Sequence, residues 1–166
     1  MIPFPGGEYQ PKEGVESESL YRQWREDKRA TGPEFKIWKT VKLGLCKSPG
    51  DYRKAMEKDG SRIGDYAGQI LDKTEVSQTE VEVDLVVVTV GELGFKDGAR
   101  RDVLYARAIE LGLQLCPAEV GPALRLLYKD QPRGEWLRIG MEPITASVGC
   151  PGVFGVGHGS DVRWLH

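Results

Sequence analysis

Histidine and cysteine are scarce in this chain: His158 and His166 are the only imidazoles, and Cys46, Cys116 and Cys150 the only thiols. No Cys-x-x-Cys pair occurs, which excludes a structural zinc site of the finger or ribbon type. No glycine–lysine spacing of the Walker kind occurs, so a phosphate-binding loop of that type is not expected. No apolar run approaches the roughly 18 residues that a membrane-spanning helix needs. The opening residues, "MIPFPGGE", show neither a basic segment nor an apolar one behind it, so a cleaved secretion signal is not expected. Widely spaced cysteines of odd number then predict free thiols, a reducing compartment and a cytoplasmic location, with no membrane partner. No cofactor is expected. Cys150, His158, Asp161 and His166 share a glycine-rich stretch, but not in a spacing that predicts a metal site.

Apolar residues make up 40% of the chain and charged residues 29%, the composition of a globular protein able to bury a core. The net charge of −2 demands no partner of either sign. Its distribution is uneven. Between residues 21 and 62 Lys and Arg outnumber Asp and Glu two to one, and between 63 and 99 the acids dominate four to one. Folding either separates these stretches into two charged sides or interleaves them.

Residues 1–33 read as a flexible arm rich in proline and glycine. Within it Leu20, Tyr21 and Trp24 form a narrow apolar stripe at helical spacing, flanked by Arg22, Arg25, Lys28 and Arg29. Such a marginal amphipathic helix needs a surface to lie on, which makes Leu20, Tyr21 and Trp24 candidates for partner binding.

From residue 34 to 166 the patterns predict a single α+β domain with a mixed β-sheet, about three helices and a C-terminal β-hairpin region. "FKIWKTVKLG", residues 35–44, reads as a strand with Phe35, Ile37, Val41 and Leu43 on one face and Lys36, Trp38, Thr40 and Lys42 on the other. A helix follows with Ser48 as N-cap, Pro49 at its first position, Tyr52, Ala55 and Met56 inward and Gly60 past its end. Ser61 is expected to cap a second short helix with Ile63, Ala67, Ile70 and Leu71 inward. "TEVEVDLVVVTV", residues 79–90, is the strongest strand, one-sided at first and apolar on both faces from Val86. A helix is predicted over 99–111 with Leu104, Ala108 and Leu111 inward. "ALRLLY" and "EWLRIGM", at 123–128 and 135–141, are expected to pair as strands. "VFGVGH" and "DVRWLH" are expected to form the closing hairpin. The predicted core is Phe35, Ile37, Val41, Leu43, Val81, Val83, Leu85, Val87, Leu104, Ala108, Leu111, Leu124, Leu126 and Ile139.

A short repeat runs through this pattern. "TVKLG" precedes "YRKAMEKDG", and "TVGELG" precedes "YARAIELG". Each copy reads as strand, Leu-Gly, loop, helix and closing Gly. The choice lies between two related strand–helix units and the ordinary punctuation of any strand and helix.

Three sets of residues are candidates for function. Trp38 between Lys36 and Lys42, extended by Arg25, is a pattern that stacks a base while cations meet phosphates, or else a Trp covering the core with lysines guarding an edge. Cys116, followed by Glu119, would act as a nucleophile only if His158 or His166 came within reach; otherwise it is a buried thiol. The helix start at Gly98-Ala99-Arg100-Arg101 offers N–H groups to an anion, or is an ordinary solvated turn.

The segments "IWKTVKLG", "EVDLVVVTVGELGFKDGARRDVLYARAIELGLQLCPAEVGPALRLLYKDQPRGEWLRIGMEPI" and "RWLH" resemble a family of small bacterial conserved proteins without an assigned function. The likeness runs from about Phe35 to the end and implies no activity, cofactor or site residue. Since no catalytic constellation has the right spacing, the expected function is a non-catalytic binding or interaction module. Nucleic-acid binding through Arg25, Lys36, Trp38 and Lys42 is the first alternative, and a small hydrolase using Cys116 or His158 the second.

Overall fold

The computed structural model describes residues 2–3, 34–146 and 149–166. In chain order its elements are β1 (Ile2–Pro3), β2 (Lys39–Leu43), α1 (Pro49–Asp59), β3 (Arg62–Ile63), α2 (Asp65–Asp72), β4 (Val81–Val86), α3 (Arg101–Glu110), α4 (Val120–Leu127), β5 (Trp136–Arg138), β6 (Ile144–Thr145), β7 (Pro151–Gly152), β8 (Gly155–His158) and β9 (Arg163–Leu165). The expected arm helix, with Leu20, Tyr21, Trp24 and Arg25, lies outside the described residues.

β2 and β4 pair antiparallel, Val41 opposite Val83, and β1 lies along the other edge of β4. A second sheet, in the order β3-β9-β8-β5, is mixed: β3 runs parallel to β9 and the other pairs are antiparallel. β6 and β7 form a two-stranded ribbon. The result is the α+β domain that the sequence predicts, with four helices among the described residues and its strands divided between sheets. The closing hairpin forms as expected, Gly157 opposite Trp164.

α1 begins and ends on local signals. The Ser48 hydroxyl accepts the Asp51 N–H at 3.2 Å, Pro49 fills the first position, and the helix ends at Gly60, whose φ is 74°. A side chain at Gly60 would meet nothing within 4 Å, so only the backbone conformation resists substitution. Gly60→Ala is therefore expected to cost about 1–2 kcal/mol, the price of a left-handed residue, read as a lowered urea midpoint with an unchanged slope.

The main core gathers Val41 and Leu43 of β2, Tyr52 and Met56 of α1, Ile70 and Leu71 of α2, Leu124 of α4, and Ile139, Phe154, Val156 and Leu165. Each such fully buried side chain contributes about 1.5–3 kcal/mol from apolar burial. Val86, Leu93, Ala108 and Leu113 form a smaller cluster that holds α3, with Phe35, Leu104 and Leu111 packed against it.

Several expectations are corrected. "ALRLLY" is not a strand but the end of α4, and β5 pairs with β8 instead. The reason lies upstream: Val120, Ala123, Leu124 and Tyr128 recur at helical spacing and are all buried. Ile37, Val81 and Val87 are not core, being 57%, 46% and 39% exposed. β2 starts only at Lys39, so Ile37 precedes the sheet, and β4 ends at Val86, so Val87 follows it. Ser61 does not cap α2; its hydroxyl donates to Asp59 at 2.9 Å, and Gly64 is the residue before the helix.

The basic and acidic stretches are interleaved. Lys42 lies 3.7 Å from Glu82 across the β2–β4 pair, Thr40 donates to Asp84, and Arg53 of α1 meets Asp72 of α2 at 2.8 Å. The repeat, too, separates in three dimensions. "TVKLG" is a strand, whereas "TVGELG" is a turn after β4 in which the Glu92 carboxylate accepts the Thr89 N–H at 2.7 Å. What the copies share is a helix and a positive φ at two glycines each, Gly44 and Gly60 in the first and Gly94 and Gly112 in the second.

Candidate ligand-binding surface

The reactive groups singled out from the sequence lie apart in their contacts. Cys116 is buried beside the Met141 backbone, and burial pushes its thiol up to about 12, far from the thiolate that a nucleophile needs. Glu119 accepts the Gly44 N–H at 2.8 Å, the Ser77 N–H at 2.8 Å and the Tyr52 hydroxyl at 2.7 Å. His158 places Nδ1 2.5 Å from the Gln131 carbonyl, and His166 packs edge-on to Trp136. These contacts join no imidazole to the thiol. Among the described residues no three His, Cys, Asp or Glu side chains converge in a way that holds a metal ion. No helix among them is long and apolar enough to cross a membrane.

The β2 face divides its residues. The Trp38 ring is half-buried against Tyr128 in an edge-to-face contact of 4.9 Å, and the Lys39 ammonium sits over both rings at 5.0 and 4.7 Å. Lys36 is exposed, and Lys42 faces Glu82. An open cleft of about 650 Å³ lies along α3, between Tyr105 and Ile109 on one side and Leu115, Glu142 and Pro143 on the other. At its mouth the Arg100 guanidinium is paired with Asp102 at 3.1 Å.

A different surface is assembled by the second sheet. Strand register sets Trp136, Gly157, Trp164 and Arg62 in one row across β5, β8, β9 and β3. The neighbouring row holds Arg138, Gly155 and His166, with the Gly155 N–H donating to the His166 carbonyl at 2.6 Å. Between them, Leu137, Val156, Leu165 and Ile63 point the other way, into the core. The sheet is thus apolar and covered on one side, and aromatic, basic and open on the other.

Glycine makes that open side flat. A Cβ at Gly157 would stand 2.0 Å from the Trp136 ring, and one at Gly155 would stand 2.4 Å from His166 Nε2. Both rings therefore lie directly on bare backbone. Their centroids are 4.7 Å apart at 86°, and 50% of Trp136 remains exposed. The Arg62 guanidinium lies 5.8 Å from the centre of the Trp164 ring. Burial, and then the charge of Arg138, lower the pKa of His166, so its ring is neutral at neutral pH.

The platform is anchored from beneath. Arg125 of α4 donates to the Gly157 carbonyl at 3.1 Å, and Gln131 donates to the Val156 carbonyl at 3.2 Å. Chemically the surface offers an aromatic area flanked by guanidinium groups, with no Asp or Glu in either row. Comparison with protein-family models, curated proteins and solved structures returned no match.

Sequence reasoning recognised the hairpin and missed the surface. The signal was a period of two: Gly155 and Gly157 alternate along β8 with Gly159 just past it, and Trp164 of β9 alternates with His166 just past that strand. Glycine opposite aromatic at that period marks a face on which rings approach the backbone closely.

Proposed function

We propose that the chain is a non-catalytic binding module whose working surface is the outward face of the β3-β9-β8-β5 sheet. The observation that carries this is Trp136, an indole laid on the Gly157 backbone with half of its area open to solvent. Tryptophan is highly buried on average, and one left half-open within a continuous aromatic and basic patch points to a contact site. A hydrolase centred on Cys116 is disfavoured by the raised thiol pKa. The β2 face is a weaker candidate for a nucleic acid, because Glu82 and Asp84 stand beside Lys42 and Thr40. A cytoplasmic setting goes with this reading, supported by three cysteines none of which forms a disulfide.

The test is backbone amide spectroscopy of labelled protein titrated with an oligonucleotide, an oligosaccharide and an extended peptide. At least one ligand class is expected to shift the amides of Arg62, Trp136, Arg138, Gly157 and Trp164 together. Shifts confined to Tyr105 and Ile109 in the cleft, or no shifts with any class, overturn the proposal.

A further inference from the structure

We infer that the ligand of this face is single-stranded nucleic acid, a proposal that rests on the face being the binding surface. Every base has a π-face, and stacking on an aromatic side chain is insensitive to sequence. Trp136 presents such a ring half-exposed, seated against the Gly157 backbone. Trp164 lies two strands away in the same row, about 10 Å across the sheet at ordinary strand spacing. Two or three consecutive bases fit a platform of that width.

The charges agree with a phosphate backbone. Arg62 closes the row at one end, and among the described residues no ion pair engages it. Arg138 stands beside Trp136 in the adjacent row, and neither row carries an Asp or Glu. A saccharide is matched less well. Its hydroxyls call for carboxylates and amides around the stacking ring, and the rows hold arginine, glycine, tryptophan and histidine instead. A duplex is disfavoured because its bases are already stacked on each other and offer no face to an indole.

The decisive experiment is fluorescence anisotropy with a labelled twelve-residue oligouridine and a blunt duplex of the same length, with the full chain at low salt. Binding of the single strand is expected, with quenching of tryptophan emission, weaker binding of the duplex, and affinity that falls as salt rises. Trp136→Ala is expected to weaken the single-strand complex about tenfold, and Trp136→Phe, which keeps a ring, to retain most of the affinity. Arg62→Gln is expected to lower the salt slope by about one. Lys36→Gln, in the segment leading into β2, is expected to change nothing. Oligouridine binding that ignores Trp136→Ala and Arg62→Gln overturns the inference, as does equal affinity for the duplex. If oligouridine fails but the oligosaccharide or the peptide shifts the platform amides, the inference falls and the binding surface stands. If no ligand shifts them, both fall.

Discussion

Arg125→Ala is expected to lower the stability of the domain by about 3–5 kcal/mol. Arg125 is wholly inaccessible to solvent. Its Nη1 donates to Gln131 Oε1 and to the Gly157 carbonyl, and its Nη2 to the Tyr128 carbonyl. One planar fork thus ties the end of α4, the 129–135 loop and β8 together. Alanine would leave three buried acceptors without their donor, at about 1–3 kcal/mol each where water cannot reach them, and would open a cavity as well.

The guanidinium is there for its geometry, and its charge is a burden. Burial, and then neighbouring Arg163, lower its pKa to about 10, so it remains protonated at neutral pH. Asp59 lies nearby but is already engaged by Lys129 at 3.0 Å and Arg163 at 3.1 Å. Lysine carries the same charge on a single nitrogen and cannot span the same acceptors, so Arg125→Lys is expected to lose nearly as much as Arg125→Met. Urea unfolding of the three variants checks this. A loss below 1 kcal/mol for Arg125→Ala, or full rescue by lysine, would contradict the role given to the fork.

Local chemistry was legible in the sequence wherever the chain signals its own conformation. Ser48, Pro49 and Gly60 delimit α1 by interactions spanning three or four residues, and those hold in any fold. Long-range placement was legible only where a period runs uninterrupted. Val41, Leu43 and Leu85 are core as expected, because alternation persists on both sides of them. "ALRLLY" was too short for its period to show, and Pro117 and Pro122 hid the helical continuation through Val120. The apolar stretch after Val86 looked like a strand entering the middle of a sheet. Thr89 and Glu92, a T-x-x-E pair, instead fold it into a turn, with the Glu92 N–H donating to the Thr89 hydroxyl at 3.2 Å.

The binding face was hidden for a different reason. Its four strands come from residues 62, 136, 157 and 164, and no local rule announces that β3 and β5 flank the closing hairpin. Trp38 shows the converse. Flanked by lysines, it carries the stronger local pattern for stacking a base, yet its ring packs on Tyr128 while Trp136, in a plain "GEWLRIG", stays open. Exposure is a property of the assembled sheet, and alternation alone does not reveal which face a later helix will cover.

Glu119 bears the second large effect, and it is tied to pH. The carboxylate is 1% exposed, and it receives two backbone N–H groups and one phenol from three separate segments. Burial alone would raise its pKa; the hydrogen bonds from Gly44, Ser77 and Tyr52 outweigh it and hold the carboxyl below its ordinary value of 4.5. The phenol responds oppositely: burial, then the bond to Glu119, push Tyr52 well above its usual range. A carboxyl with a depressed folded pKa stabilises the fold above the unfolded value and loses that contribution as pH falls through the folded one. Wild-type stability is therefore expected to drop on acidification below about pH 4.5, an effect that Glu119→Gln removes from its share of the curve. Glutamine also turns an N–H₂ towards one of three donors, at a cost of about 2 kcal/mol at neutral pH; Glu119→Ala, with all three orphaned, is expected to cost about 3–5 kcal/mol. Urea midpoints measured from pH 7 to pH 3 separate these effects. If wild type and Glu119→Gln lose stability in parallel on acidification, the carboxylate is not the group that clamps β2, α1 and the 73–80 loop onto the start of α4.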